Sequence, residues 1–131
     1  MNAVEPSVRA VQQLMLRSLL DVFNERDAAR RSVAIAAIYT SDVTFHEPDG
    51  VIRGPTALAA RVQQLLDGAP QWFFSPAGAG AVNHDLGCLR WHFGPQGAHP
   101  AVAGTDIAVV ADGRIRSLHV FIHVPGEVRA P

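Results

Sequence analysis

The sequence contains no lysine: all 11 of its basic residues are Arg. Schiff-base catalysis and the lysine of a phosphate-binding loop are therefore closed to it. Cysteine is nearly absent. Cys88 is the single one, so no internal disulfide can form, thiolate zinc sites are excluded, and nothing points to an oxidising compartment. No apolar run reaches the ~18 residues that cross a bilayer. The opening MNAVEPSVRA lacks the charged-then-apolar order of a secretory leader, and the expectation is a soluble cytoplasmic domain. Nor is there an excess of one charge. Eleven basic residues face 12 acidic ones for a formal net charge of −1, which argues against nucleic acid or a membrane as partner. The motifs G-x-S-x-G, G-x-G-x-x-G and H-E-x-x-H do not occur, removing three common catalytic or cofactor signatures.

What is present suits one globular domain. The 131 residues are 48% apolar and 18% charged, enough for a real core and too apolar for disorder. We expect a single domain over 1–131, its core about 8–124, with frayed termini. Val11, Leu14, Met15, Leu19 and Val22 recur at helical spacing through Val8 to Phe23. Asp27 is a candidate N-cap for a second helix to about Tyr39, whose Ala28, Ile35 and Ile38 suit packing on a flat surface. A third helix opens on Pro55, carries Leu58, Val62, Leu65 and Leu66, and stops at Gly68 and Pro70.

The remainder reads as strands: Val43 to Glu47, Val51 to Arg53, Trp72 to Ser75, Leu86 to Phe93, Val102 to Val110 and Arg114 to Val124. Gly78 and Gly80 lie in a Gly/Ala-rich turn, and Asp112-Gly113 reads as a tight hairpin. Helices first and strands later is not the alternation of a doubly wound parallel sheet. The residues point to an α+β domain with a curved antiparallel sheet wrapped over helices.

Most acids fall at caps, helix surfaces and turns, where they need no special explanation. Two do not. Asp106 interrupts the otherwise uncharged strand Ala103 to Val110, and Glu47 keeps the parity of Val43 and Phe45 rather than of Thr44. A carboxyl on an apolar face must be paired, desolvated or protonated, and desolvation raises its pKa. The alternatives are an exposed strand-end residue for Glu47, and a structural hydrogen bond or Arg pair for Asp106. His92 shares strand parity with Cys88 and Arg90, and His119 and His123 share it with Phe121. No His pair has helical i,i+4 spacing, and no metal site is expected. Cys88 reads as a small strand residue.

Tyr39-Thr40-Ser41-Asp42-Val43-Thr44-Phe45-His46-Glu47-Pro48-Asp49-Gly50, followed by Gly54 and a helix, resembles the opening of the SnoaL-like and ketosteroid-isomerase-like families of the nuclear-transport-factor-two superfamily. The run Gly104 to Ile115 is similar to their penultimate hairpin. The resemblance implies a cystatin-like α+β barrel: a cone-shaped, curved mixed sheet wrapped over three helices and enclosing an apolar pocket. It places Glu47 where the steroid isomerases keep a carboxylate base, and Asp106 where they keep a carboxylic acid that bonds the developing enolate oxygen. Those isomerases add a tyrosine hydroxyl from the first helix. Here Leu19 lies near that place, and Tyr39, the one tyrosine, is expected to reach the pocket instead.

The resulting expectation is a cofactor-independent acid/base enzyme of isomerase, cyclase, dehydratase or epoxide-hydrolase type, acting on a small apolar carbonyl, polyketide-like or epoxide ligand. Glu47 would act as base and Asp106 as acid or hydrogen-bond donor. Strand alternation with these two acids assigns Tyr39, Phe45, Leu89, Trp91, Leu118, Val120 and Ile122 to the pocket wall. The opposite parity would give a homodimer face of Cys88, Arg90, His92, His119, Phe121 and His123, a mixture with the aromatic and Arg content of interfaces. A non-catalytic ligand-binding or dimerisation module on the same scaffold is the alternative function.

Overall fold

The structure, a computed structural model, describes residues 5–123. Val124 and the tail after Pro125, expected to end the last strand and to fray, lie outside these residues. Helix α1 (Val8–Arg17) starts where the Ser7 side chain accepts a hydrogen bond from the Ala10 N–H. The helical stripe then continues as a π-helical turn, Ser18–Phe23. Helix α2 (Ala28–Ile38) is capped by Asp27, whose carboxylate accepts from the Arg30 N–H. Its inward face is Arg31, Ile35 and Ile38, whereas Ala28 is exposed. That corrects the expectation for Ala28, which sits in the first turn and points away from the layer below. Helix α3 (Pro55–Asp67) has Pro55 in its first turn and buries Leu58, Val62 and Leu66.

Among the described residues, seven strands follow the helices or lie between them: β1 (Tyr39–Glu47), β2 (Gly50–Arg53), β3 (Trp72–Pro76), β4 (Ala81–Asn83), β5 (Leu86–Pro95), β6 (Val102–Ala111) and β7 (Arg114–His123). They form one sheet in the order β2-β1-β7-β6-β5-β3, with β4 also on β5. Every pairing is antiparallel except β1 with β7, which is parallel. The sheet is therefore mixed, as the family resemblance implies, and the all-antiparallel reading of the residues is corrected. A hairpin can join only antiparallel neighbours, whereas β1 and β7 are joined by the whole intervening chain. Strand β4 escaped the sequence reading because its turn into β5 uses His84, at φ 54°, where a glycine would have announced it. The Asp112-Gly113 hairpin does follow that rule, with both residues at positive φ. Register shifts within the β1–β7 and β6–β7 pairings interrupt the ladder, and such irregularities bend strands.

The helices pack on the inner face of the sheet, and their stripes merge with the inward residues of β1, β5, β6 and β7 into one buried apolar cluster. The segment between α1 and α2 has a larger role than breaking a helix. The Asn24 side chain both donates to the Phe74 carbonyl (2.8 Å) and accepts from the Phe74 N–H (2.7 Å). Arg26 spreads its guanidinium over the carbonyls of Leu66, Ala69 and Trp72 at 2.8–3.1 Å. One residue thus adds a charged donor to carbonyls at the end of α3, two of which also accept backbone N–H groups, and ties that end to the entry into β3. No described helix is long and apolar enough to cross a membrane.

Replacing Arg26 by Ala should cost about 2–4 kcal/mol in urea denaturation, because three buried-side carbonyls lose a charged donor. Arg26→Lys should recover only a minor part, since one ammonium lacks the planar fork. Equal stability of the Lys variant and the parent would show that charge alone holds this corner.

Candidate active site

Along β1 the inward parity of Val43 and Phe45 carries Glu47 to the end of the strand on the same side. Along β6 the buried positions alternate through Gly104, Asp106, Ala108 and Val110. Both residues line one cavity of about 240 Å³. Its lining is Leu19, Phe23, Phe45, Glu47, Leu65, Phe74, Trp91, Phe93, Val102, Asp106, Val120 and Ile122. The floor is aromatic and fully covered. Phe23 lies 5.6 Å from Phe45 and 5.8 Å from Phe74, and Phe74 stacks on Phe93 at 4.0 Å. The rim holds the half-exposed Ile122 together with Val102, Val120, Leu65 and Glu47. Wider hollows exist, one of about 490 Å³ between α2 and α3, but neither acid lines it.

Asp106 is 4% exposed, and Trp91 donates its indole N–H to Oδ1 at 2.8 Å. Burial pushes the carboxyl up to about 7, against the smaller opposing effect of the indole hydrogen bond. Asp106 thus keeps its proton toward neutrality and can donate. Glu47 has a different setting. Its Oε2 accepts from Arg61 Nε at 2.8 Å, across from the first half of α3, and the pair is partly buried. The Arg61 guanidinium is held above its ordinary range, first by that hydrogen bond. One carboxyl faces a cation and the other a neutral donor.

Of the wall residues assigned by alternation, Phe45, Trp91, Val120 and Ile122 line this cavity with the two acids. Tyr39, Leu89 and Leu118 do not. All three are on the inner face but buried in the core, since alternation gives the face and not the part of it that helices cover. The Tyr39 hydroxyl bonds to the Ser18 hydroxyl, and burial raises its pKa against the smaller opposing effect of that bond. It therefore supplies no second donor to the cavity, and Leu19 stands in the lining instead. Sequence reasoning missed Phe23, Leu65, Phe74, Phe93 and Val102 as lining. Phe23 and Leu65 lie on helices and could have been found from helical periodicity. The Arg61–Glu47 pair had no signal in sequence. Among the described residues, no three His, Cys, Asp or Glu converge as metal ligands would.

Comparison with known proteins agrees with this architecture. The SnoaL-like domain model matches residues 16–118. Three solved structures share the fold. One, from Agrobacterium tumefaciens, is called an isomerase of the SnoaL-like family; its TM-score is 0.77 at 20% identity, covering 88% of this chain and 96% of its own. A protein from Kribbella flavida called a ketosteroid isomerase gives 0.70 at 15% identity, covering 95% and 84%. A protein from Jannaschia called a SnoaL-like polyketide cyclase also gives 0.70 at 15% identity, covering 93% and 91%. No curated protein matches the chain in sequence.

The buried carboxyl makes stability depend on pH with a definite sign. Between about 4 and 7 the folded protein holds the Asp106 proton that the unfolded chain releases. Unfolding then releases a proton, so this contribution falls as pH rises through that window and is flat above it. Asp106→Asn keeps an acceptor for the indole and has no proton to lose. Relative to wild type it should gain up to about 4 kcal/mol between pH 4 and pH 8, at about 1.4 kcal/mol per pKa unit. Urea melts whose difference does not change across this range would refute a buried, proton-retaining Asp106.

Proposed function

The chain belongs to the SnoaL-like domain family, and on that premise we propose that it is a cofactor-independent acid/base enzyme acting on a small apolar carbonyl compound. One observation carries the reading: Glu47 and Asp106, remote in sequence and in unlike settings, line the same apolar cavity. Two carboxyls whose surroundings differ in this way can divide acid and base roles. Asp106 donates a hydrogen bond from its retained proton to the carbonyl oxygen. Glu47 takes the proton from the adjacent carbon, and the aromatic floor holds the planar enol or enolate. Such chemistry needs a placed base and a stabilised oxyanion. Phe45, Trp91, Val120 and Ile122 contribute binding surface together with Phe23, Phe74 and Phe93. At about 240 Å³ the cavity is smaller than the ~300–1,000 Å³ of drug-sized ligand sites, which favours a substrate smaller than a steroid. The one-donor oxyanion site points the same way, since each missing donor costs about 10²–10³ in rate. An epoxide or polyketide-like ligand of similar size would use the same two groups.

The partner proposed for the protein is a second copy, bound through the outer sheet face. Phe121 is 58% exposed there, beside His123, Arg90 and His92, which are exposed as well. His46 and His119 stack at 4.1 Å on the same side. Phe121→Glu places a charge in that contact and leaves the cavity alone. It should convert a dimer at micromolar concentration into folded monomers in light scattering; a monomeric parent, or a dimeric variant, would refute the arrangement.

The catalytic reading is tested by exchange of α-protons of small cyclic ketones in deuterated water, followed by NMR. The parent should accelerate exchange over buffer. Asp106→Asn should bind the ketone yet lose about 10²–10³ of the rate, and Glu47→Gln about 10²–10⁴. Binding without exchange would favour a ligand-binding module instead. Absence of both would remove the carbonyl reading.

A further inference from the structure

Trp91 on β5 is paired with Gly104 on β6, and Asp106 lies two residues further along β6 on the same inner side. A cross-strand neighbour normally brings a side chain of its own to such a pair. Gly104 brings none. A Cβ there would fall 2.2 Å from Cζ2 and 2.6 Å from Cε2 of Trp91, so the indole fills the room that any other residue would claim. Lying across Gly104, the ring carries Nε1 to 2.8 Å from Asp106 Oδ1. Phe74 braces the ring edge-on at a centroid distance of 5.2 Å.

We propose that Trp91 is a positioning residue that places the Asp106 proton on the oxygen facing the cavity, and that Gly104 is the seat that lets it do so. An indole N–H can only donate. A neutral carboxyl accepts best through its carbonyl oxygen, so the indole draws that role onto Oδ1. The O–H then falls to Oδ2, which finds no hydrogen-bond partner among the described residues and is left for a ligand oxygen in the cavity. In the ionised state the same N–H stabilises the carboxylate, which moderates the effect of burial. This assignment rests on Asp106 acting as the acid, as proposed above. It adds the residue that aims it.

The test is NMR titration of the full-length protein, following the Asp106 carboxyl carbon and the Trp91 indole N–H. In the parent, both resonances should move with one midpoint, and the indole movement should vanish in Asp106→Asn. Trp91→Phe keeps a ring against Phe74 but removes the N–H. It should raise the Asp106 midpoint by about one to two pH units, the worth of a hydrogen bond to a charged group. Gly104→Ala keeps the indole and pushes it off its seat, with an upward shift of the same order. An unmoved midpoint in Trp91→Phe overturns the positioning role, and an unmoved midpoint in Gly104→Ala overturns the seat. If neither variant folds, the parent's indole decides, because an indole resonance indifferent to Asp106 refutes the contact. No substrate enters these titrations. Shifts as expected in a protein without ketone exchange would leave the positioning intact and sink the acid/base reading instead.

Discussion

The Asp106 carboxyl sits among aromatic and aliphatic side chains with an indole N–H as its protein partner. Ionised carboxylates buried without a cation are costly, and the group responds by holding its proton. Much of the surrounding architecture serves that condition. Phe74 is fixed through its backbone by Asn24, Phe74 braces Trp91, and Trp91 reaches the acid across a residue with no side chain. The raised pKa of this acid is therefore the product of packing several elements deep rather than of one local contact.

Glu47 is governed by a different balance. It stands at a strand end near the rim, where Arg61 of α3 meets it and solvent is close. Exposed ion pairs contribute little to stability, and this partly buried one serves more to fix the carboxylate's orientation than to hold the fold. The cavity therefore has an electrostatic axis, with a carboxyl paired to a guanidinium near the opening and an acid that burial pushes toward its neutral form at the floor. On the acid/base reading proposed above, that difference divides the work between two chemically similar side chains.

The sequence was readable wherever local chemistry decides the outcome. Proline at the start of α3, the Asp27 cap and Asp112-Gly113 each fix an element through a few neighbouring atoms. Parity along β1 and β6 put Glu47 and Asp106 on the inner face for the same reason. What stayed hidden depends on distant parts of the chain. Asn24 and Arg26 look like a polar break until α3 and β3 arrive beside them. Leu89, Leu118 and Tyr39 have inward parity, yet helices cover them, and parity carries no information about coverage. The parallel pairing of β1 with β7 leaves no trace in either strand.

That parallel pairing also sets the order in which the molecule can assemble. His46 pairs with His119, and Phe45 with Leu118, so the loop closed by this contact includes β2, α3 and the entire β3–β6 meander. Closing such a loop is entropically expensive, and contacts of this range slow folding. During synthesis β1 can pair only with β2 until nearly the whole domain has emerged. Until then its other edge stands open, a template for unwanted strand addition. Of the described strands, β7 is thus both the latest made and the one that seals the sheet, and a ribosome pausing before it would hold a chain whose cavity still lacks a wall.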